Sequence, residues 1–416
     1  MSEAPDSFDL NRYLSVVARW EPALDAWAHR EAPADLRLAG DASGPLAGVP
    51  FGVKDVIDVR GQPTRFGSNA FADAEPAVAD APVVRALRAS GAVPVGKTRS
   101  TEFAFIDPTT TRNPFDRERS PGGSSSGSGA VVGAQVVPFA LGTQTAGSLC
   151  RPATYCGALS YKPGLGVLPQ AGMAPLSHSF DAIGVIAASP RWLRRVFGVL
   201  AADFAIPHVP TVDQSLRIGL LNVPEQSPGP AMRRVMADVS RLLAAQGHQV
   251  SPVTSPVSFP ALIDRHRTVM LHEMAANLWP VVRGREHLLQ PLFTRGLADG
   301  AVIGHSARDD AMTWIERARV AFWSAMSGFD VLLSCPVPDA APKGLTTTGD
   351  QSYLTPWTAL GGPLVSLPAG RDPDGMPLGI LLSAAPGRDG FLVDAALHVA
   401  TALPATAAPS CPPVRS

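Results

Sequence analysis

The sequence predicts an α/β fold in which a large mixed sheet is covered by helices. Short apolar runs of strand length alternate with apolar residues at helical spacing, which is typical of α/β proteins. The chain has 416 residues, of which 45% are hydrophobic, enough for a sizeable core. Charged residues make up only 17%, whereas Gly (38) and Pro (41) are numerous. This composition suits a compact chain with many turns and excludes a disordered one.

The first half of the chain begins with a helix and continues with short strands. Residues 7–30 carry apolar side chains at helical spacing, and residues 31–47 resemble a loop. A helical stripe stops at Gly91, a typical C-cap residue, and residues 92–95 follow as a strand. Residues 130–142 are nearly all small and apolar, so they predict a buried helix followed by a buried strand.

The second half repeats the alternation of strands and helices. A regular apolar stripe at 232–243 predicts an amphipathic helix, and residues 260–328 are mostly helical. The other predicted elements are strands at 217–221, near Val250, and at 331–334, 364–367 and 378–382, with a last helix at 391–403.

Charge and cysteine content exclude several classes of function. The formal net charge is -1, so we expect no binding to nucleic acid or to an anionic membrane surface. No stretch reaches about 18 apolar residues, and the N-terminal residues do not resemble a signal peptide. Four cysteines are too few for a disulfide scaffold, and no Cys or His spacing matches a zinc site. We therefore expect a cytoplasmic protein without a metal.

Three short motifs occur in the wrong context. Residues 91–98 fit the phosphate-loop pattern, but a helix precedes the first Gly and Pro94 has no N–H to donate. Residues 123–127 fit GxSxG, but polar turn residues stand where the nucleophile elbow needs a buried strand. His272 and Glu273 begin HExxH, yet Ala276 occupies the position of the second histidine.

A fourth pattern is long and consists of several separated blocks. Its blocks are GVPFGVKD from Gly48, SPGGSSSGSGA from Ser120, GTQTAGSLCRPA from Gly142, YCG at 155–157 and KP at 162–163. Together they closely resemble the amidase signature family, which comprises serine amide hydrolases with a Ser–Ser–Lys triad. The resemblance is strong over about residues 45–190 and weaker over 330–400, and it is closest to short bacterial members of the malonamidase type.

The resemblance implies a fold and a division of the chain. It implies one large, mixed, mostly parallel sheet sandwiched by helices, in a single domain over residues 1–403. The expected parts are an N-terminal helical segment at 1–47, a signature core at 48–200, a variable substrate section at 205–328, a C-terminal return to the sheet at 329–403 and a flexible tail at 404–416.

The resemblance also implies the roles of individual residues. Ser148 is the expected nucleophile, Ser124 is the bridging serine that follows a cis peptide, and Lys54 is the base. The expected oxyanion donors are the N–H groups of Thr145, Ala146, Gly147 and Ser148. No metal and no organic cofactor are required.

The residues alone leave alternatives to these roles. Lys54 lies in an apolar stretch where burial favours its neutral form, but it could instead pair with Asp55 or Asp58 or extend to solvent. The small residues around Ser148 also suit a tight turn that closes a core strand. The Ser-rich loop at Ser124 also suits a flexible linker.

Some positions depart from the family pattern. Many members have Asp at Gln144, Gly at Ala146 and Arg at Cys150. Arg151 follows one place later. It either binds a substrate carboxylate, as a malonamate-like half-amide would supply, or has a structural role.

We therefore predict an enzyme that hydrolyses the C–N bond of a small, linear carboxylic acid amide through an acyl-enzyme. Its predicted partner is the small-molecule amide, and a homodimer is left open. The alternatives are an amidotransferase-type subunit that delivers ammonia to an acylated tRNA, and a catalytically silent interaction protein with the same fold.

Overall fold

A computed structural model describes residues 9–38, 43–207, 215–404 and 408–412. Within these residues, eleven strands form one sheet. The strands are β1 (Trp27–Arg30), β2 (Pro50–Lys54), β3 (Val93–Thr98), β4 (Phe139–Gln144), β5 (Leu159–Lys162), β6 (Ala182–Ala187), β7 (Arg217–Asn222), β8 (Gln249–Thr254), β9 (Val331–Ser334), β10 (Leu364–Arg371) and β11 (Pro377–Ser383).

Twelve α-helices in the described residues surround the sheet. They are α1 (Leu10–Leu24), α2 (Pro33–Leu38), α3 (Pro82–Ala89), α4 (Ser126–Gly133), α5 (Cys150–Tyr155), α6 (Pro190–Asp203), α7 (Pro230–Ala245), α8 (Phe259–Val282), α9 (Pro291–Ala301), α10 (His305–Ala325), α11 (Thr355–Leu360) and α12 (Asp389–Ala402). The α/β class is thus confirmed. No helix in the described part of the chain is long and apolar enough to cross a membrane.

The N-terminal segment differs from the prediction in two places. The helix predicted at 7–30 ends at Leu24, where Asp25 takes a left-handed conformation with φ 49°, and Trp27–Arg30 forms β1 instead. The loop predicted at 31–47 contains the short helix α2. Residues 1–8 and 39–42 of this segment lie outside the described residues. Helical spacing in the sequence continued past Asp25, so periodicity alone could not locate the end of α1.

The sheet has the order β1-β3-β2-β4-β6-β5-β10-β11-β9-β7-β8. Six of the ten pairings between the described strands are antiparallel, so the prediction of a mostly parallel sheet was wrong. Parallel pairs occur only on the two flanks, where β2 lies between β3 and β4 and β7 lies between β8 and β9. In the centre, β10 and β11 form a hairpin, and a hairpin is necessarily antiparallel.

Helices cover both faces of the sheet, and β4 shows why. Its side chains alternate between the two faces, as in any strand. Phe139 and Leu141 join a core cluster with residues of α3, α6, α7 and α12. Ala140 instead joins a cluster with residues of α1 and α4. Apolar side chains are therefore needed on both faces over Phe139–Leu141, which explains the uninterrupted apolar sequence where the strand begins.

The predicted substrate section contributes a separate helical layer. Helices α9 and α10 both pack on α8, and the three share a third apolar cluster, which includes Phe322 and reaches Trp357 of α11. Residues 208–214 of the section are outside the described residues. The tail predicted at 404–416 lies partly outside them too, and residues 408–412 contain no helix or strand.

Candidate active site

The candidate site lies where two parallel strands end side by side. Strand β2 ends at Lys54, and its parallel neighbour β4 ends at Gln144. Because carboxyl ends of parallel strands meet at the same sheet edge, Lys54 and Thr143 lie close together. The Lys54 Nζ atom is 2.6 Å from Thr143 Oγ1. This contact was not predicted, since the sequence does not reveal which strands are neighbours.

Lys54 is completely buried and hydrogen-bonded to the Ser-rich loop. Its Nζ atom lies 2.6 Å from Ser124 Oγ, and the exposed fraction of the Lys54 side chain is 0%. Burial lowers the pKa of Lys54 well below its ordinary value, whereas the charge of Asp181 raises it and that of Arg151 lowers it further. The lysine is therefore placed to hold its neutral form, in which the nitrogen can accept a proton.

Ser124 lies at the entrance to α4, in a loop that is closely packed. The peptide bond between Gly123 and Ser124 is cis, as the resemblance implied. The Thr101 N–H donates to the Ser124 carbonyl at 3.2 Å, and Ser124 is fully buried. At Gly127, a Cβ atom would lie 2.2 Å from the carbonyl oxygen of Ala26, so only glycine fits. These contacts favour an ordered loop over a flexible linker.

Ser148 lies beside this loop and faces a cavity. The Ser125 N–H donates to the Ser148 carbonyl at 3.1 Å and joins the two serine-bearing segments. The exposed fraction of Ser148 is 6%, compared with 0% for Ser124 and Lys54. Lys54 and Ser124 are thus hydrogen-bonded and fully buried, whereas Ser148 reaches the cavity wall, an arrangement that suits a proton relay from a nucleophile.

The cavity has a volume of about 120 Å³ and is largely apolar. Its polar lining comes chiefly from the Ser148 loop, from α8 and from the segment before α11. The lining residues are Ala104, Phe105, Ile106, Thr145, Ala146, Ser148, Leu176, Ile263, His266, Arg267, Met270, Leu271, Gln351 and Thr355. Five of them lie on α8, within the segment predicted to shape the substrate cleft.

The backbone of the Ser148 loop offers free hydrogen-bond donors. Within the described chain, no group accepts a hydrogen bond from the N–H of Ala146, Gly147 or Ser148. Unpaired N–H groups at successive residues form a site for a developing negative charge. Ala146 and Ser148 also line the cavity, so this geometry suits the oxyanion role that the resemblance implied.

Asp181 is a buried acid that the sequence analysis missed. It immediately precedes β6, which pairs antiparallel with β4 so that Ala182 lies opposite Gln144. The Thr145 hydroxyl donates to Asp181 Oδ1 at 2.5 Å, and the N–H groups of Leu176 and Ser177 donate to Oδ2 at 2.9 Å. Burial raises the pKa of Asp181 to about 7, although these hydrogen bonds and the charge of Lys54 lower it.

Arg151 is buried behind the loop and does not line the cavity. Its Nη2 atom donates to the Gly123 carbonyl at 2.6 Å and lies 3.3 Å from Thr348 Oγ1. Burial lowers the pKa of Arg151. Its Nε and Nη1 atoms have no hydrogen-bond partner in the described part of the chain. Of the two roles considered for Arg151, the Gly123 contact favours the structural one.

Two of the departures from the family pattern, Gln144 and Cys150, meet at the start of α5. Gln144 Oε1 accepts hydrogen bonds from the N–H groups of Leu149 and Cys150, at 3.1 and 3.0 Å, so a neutral amide holds the start of α5. Burial raises the pKa of Cys150 to about 11, which keeps this thiol protonated and unreactive near neutral pH. Among the described residues, no group of three or more His, Cys, Asp or Glu side chains could hold a metal.

Comparisons with known proteins agree with this geometry. The profile of the amidase family matches residues 15–393. AtzE, the 1-carboxybiuret hydrolase subunit of Pseudomonas sp. (strain ADP), is 31% identical over 405 residues, which cover 88% of this chain and 87% of the relative. One of the subunits of the glutamyl-tRNA(Gln) amidotransferase of Halobacterium salinarum is 30% identical over 423 residues, which cover 88% of this chain and 98% of the relative.

A solved structure has the same fold. The native peptide amidase from Stenotrophomonas maltophilia superposes with a TM-score of 0.80 at 25% identity, over 97% of this chain and 94% of that chain. Fold and family match together define the class of protein as an amide hydrolase. The chain belongs to the amidase family, and its membership confirms the resemblance seen in the sequence.

Proposed function

We propose that the protein hydrolyses the C–N bond of a small carboxylic acid amide through an acyl-enzyme formed on Ser148. The observation that carries the proposal is the buried hydrogen bond of 2.6 Å between Lys54 Nζ and Ser124 Oγ, next to a cavity lined by Ser148. A neutral lysine, a bridging hydroxyl and a nucleophile at the cavity wall are the parts that serine-based amide cleavage needs.

In the proposed reaction, Ser148 Oγ attacks the amide carbonyl carbon. The Ser148 proton passes to Ser124, whose own proton passes to Lys54, and the N–H groups of Ala146 and Gly147 hold the oxyanion. Lys54 then returns a proton through Ser124 to the amide nitrogen, the C–N bond breaks, and the amine or ammonia leaves. Water attacks the acyl-Ser148 ester by the same relay and releases the acid.

The cavity supports a small substrate. Its volume of about 120 Å³ is below the roughly 300–1,000 Å³ usual for ligand pockets, and Phe105, Leu176 and Met270 make much of its wall apolar. A compact linear amide fits this space better than a long chain. The cytoplasmic location and the homodimer stay predictions.

Ser148→Ala tests the proposal. This change should abolish both amide turnover and labelling by a fluorophosphonate, because both need the Ser148 oxygen as nucleophile. Ser160→Ala is a matched control: Ser160 is also buried, but its hydroxyl bonds Ser366 at 2.6 Å, away from the cavity. Full activity in the Ser148 variant would reject the assignment.

The carboxylate role of Arg151 stays a proposal: its Nε and Nη1 donors are unpartnered within the described residues, although Arg151 does not line the cavity. Arg151→Met keeps the volume and removes the charge. If a carboxylate binds there, the variant should lose more activity on malonamate than on a neutral amide of similar size, by about tenfold or more. An equal loss on both substrates would reject the carboxylate role and indicate that Arg151 acts only through its contact with Gly123.

The amidotransferase alternative rests on the relative from Halobacterium salinarum. The near-zero net charge speaks against tRNA contacts by this chain. Ammonia release from glutamine, compared with release from small aliphatic amides, separates the two activities. Activity on glutamine alone would favour the amidotransferase type. A folded protein that neither cleaves any amide nor reacts with a fluorophosphonate would favour a silent interaction protein.

A further inference from the structure

In the segment from Thr145 to Ser148, the carbonyl groups are paired in hydrogen bonds within the described chain, whereas most of the N–H groups are not. Each of its four carbonyl groups accepts a hydrogen bond from elsewhere in the chain. Within the described residues, by contrast, no acceptor pairs with the N–H of Ala146, Gly147 or Ser148. Buried backbone N–H groups are rarely left without a partner, so this pattern needs an explanation.

The Thr145 carbonyl is held by a side chain of the substrate section. His266 of α8 lies with its Nε2 atom 2.8 Å from the Thr145 oxygen. A carbonyl can only accept, so Nε2–H is the donor. Burial lowers the pKa of His266 to about 4, and the neutral ring therefore carries its single proton on Nε2. The ring is also stacked on Phe180, with centroids 4.3 Å apart, and this contact limits its rotation.

The next carbonyl, that of Ala146, is held from a different direction. The Thr358 hydroxyl of α11 donates to it at 2.6 Å. The same Thr358 oxygen accepts a hydrogen bond from Gln144 Nε2 at 3.0 Å, so its single proton is committed to Ala146. Thr358 is fully buried. Both carbonyl contacts therefore come from helices distant in sequence from the loop.

Fixing a carbonyl fixes the N–H of the same peptide unit. A trans peptide is planar, with its C=O and N–H directed to opposite sides. The Thr145 carbonyl belongs to the unit that carries the Ala146 N–H, and the Ala146 carbonyl to the unit that carries the Gly147 N–H. Gly147 has no side chain that would restrict rotation of its peptide units, so the external contacts set their orientation.

We propose that His266 and Thr358 are positioning residues that orient the Ala146 and Gly147 N–H groups toward the oxyanion. The inference rests on the proposed amide hydrolysis. Neither residue touches the reacting atoms through this contact, and each acts by holding the opposite end of a peptide unit. His266 also lines the cavity, so the helix that contacts the substrate is the helix that orients the oxyanion donors.

Variants at His266 separate positioning from simple packing. His266→Phe keeps a ring on Phe180 but removes the N–H donor. We expect kcat per labelled active site to fall about 10- to 100-fold, somewhat less than the loss of a whole oxyanion donor, with KM within about threefold. His266→Gln supplies an amide N–H at a similar distance and should recover most of kcat.

His272→Phe is the matched control. His272 lies on the same helix and is half-buried. Its Nδ1 atom contacts the Ile303 carbonyl at 2.7 Å, so this hydrogen bond does not involve the Ser148 loop. His272→Phe, like His266→Phe, loses a hydrogen bond from a histidine ring to a backbone carbonyl. A general effect on folding should therefore lower the Tm of both variants. Only the His266 variant should lose kcat.

Thr358 gives an independent test of the second contact. Thr358→Val keeps the shape and removes the hydroxyl, whereas Thr358→Ser keeps the donor. We expect the valine variant to lose about 10- to 100-fold in kcat and the serine variant to stay within about threefold of the wild type. A purely structural role would lower Tm in the valine variant and leave kcat per labelled site unchanged.

The outcomes separate this inference from the proposed function. If the wild type cleaves amides and His266→Phe and Thr358→Val keep kcat within twofold, the positioning role is rejected and amide hydrolysis stands. If the wild type cleaves no amide, the proposed function fails, and the rate at which a fluorophosphonate labels Ser148 still reports on the loop. Equal labelling rates in wild type and variants, or no labelling at all, would then overturn the inference.

Discussion

At the scale of single residues, the charge balance around Lys54 is the main feature of the site. Burial lowers the pKa of Lys54, and the carboxylate of Asp181 opposes that effect. Asp181 itself has a pKa raised to about 7 by burial. The two groups therefore titrate as an interacting pair, and the acid limb of the pH–rate profile belongs to the pair.

Asp181→Asn should move this acid limb to lower pH. Lys54 must be neutral to act as a base, so activity rises as pH increases through its pKa. The negative charge of Asp181 raises the pKa of Lys54, so without that charge the neutral lysine persists to lower pH. The measurement is kcat/KM as a function of pH for the wild type and the variant.

Asp389→Asn serves as the control for this experiment. Asp389 is also buried and accepts hydrogen bonds from the Tyr161 hydroxyl and the Gly164 N–H, each at 2.8 Å. It should lose stability without a shift of the acid limb. A limb that stays in place, or moves to higher pH, in the Asp181 variant would contradict the electrostatic account.

The sequence motifs identified Lys54, Ser124 and Ser148, and the structure gathers them at one edge of the sheet. Thr143 and Asp181 were missed for a physical reason. Thr143 reaches Lys54 only because β2 and β4 are neighbours, and Asp181 reaches Thr145 only because β6 returns antiparallel to β4. Strand neighbours are set by packing of the whole sheet, which no local pattern encodes.

At the scale of elements, a buried ion pair joins the ends of β2 and β3. Lys97 Nζ lies 3.5 Å from Asp55 Oδ1, and both side chains are inaccessible, at 0% and 1%. One alternative for Lys54 was a pair with Asp55, but this acid pairs with Lys97 instead. Burial raises the pKa of Asp55 and lowers that of Lys97, so desolvation outweighs their mutual attraction.

Asp55→Ala should therefore destabilise the fold by about 3–5 kcal/mol, because it leaves the Lys97 charge buried and unpaired. The double variant Asp55→Ala/Lys97→Met should recover part of this loss. Recovery stays incomplete, because Asp55 also accepts hydrogen bonds from the N–H groups of Arg65 and Gly67. Urea unfolding of the single and double variants measures both effects. A double variant no more stable than Asp55→Ala would show that the unpaired Lys97 charge is not the source of the loss.

The helices were easier to predict than the strands. The stripe at 232–243 lies within α7, and the region 260–328 contains α8, α9 and α10. A surface helix shows its apolar face directly in the sequence. Buried strands show only short apolar runs, so β5 and β6 were not recognised as separate strands.

At the scale of the whole molecule, the centre of the sheet is formed by strands from distant parts of the chain. Strand β5, at residues 159–162, pairs with β10, at residues 364–371. The two residue ranges stand on either side of the predicted substrate section. A core built in this way cannot unfold one half without exposing the other.

We therefore predict one cooperative thermal transition, as expected if residues 1–403 form a single domain. Differential scanning calorimetry should give equal calorimetric and van't Hoff enthalpies. Two resolved transitions, or a van't Hoff enthalpy well below the calorimetric one, would indicate that the substrate section unfolds as a separate unit.

The sequence by itself determined the class of fold, the family and the identity of the three candidate catalytic side chains. These follow from periodicity and from motif blocks, which are local properties of the chain. The tertiary structure alone decided which groups surround those side chains. Asp181 beside Lys54, and His266 and Thr358 on the Ser148 loop, come from elements far apart in sequence. Their contacts depend on strand order and helix packing, which arise only when the whole core is assembled.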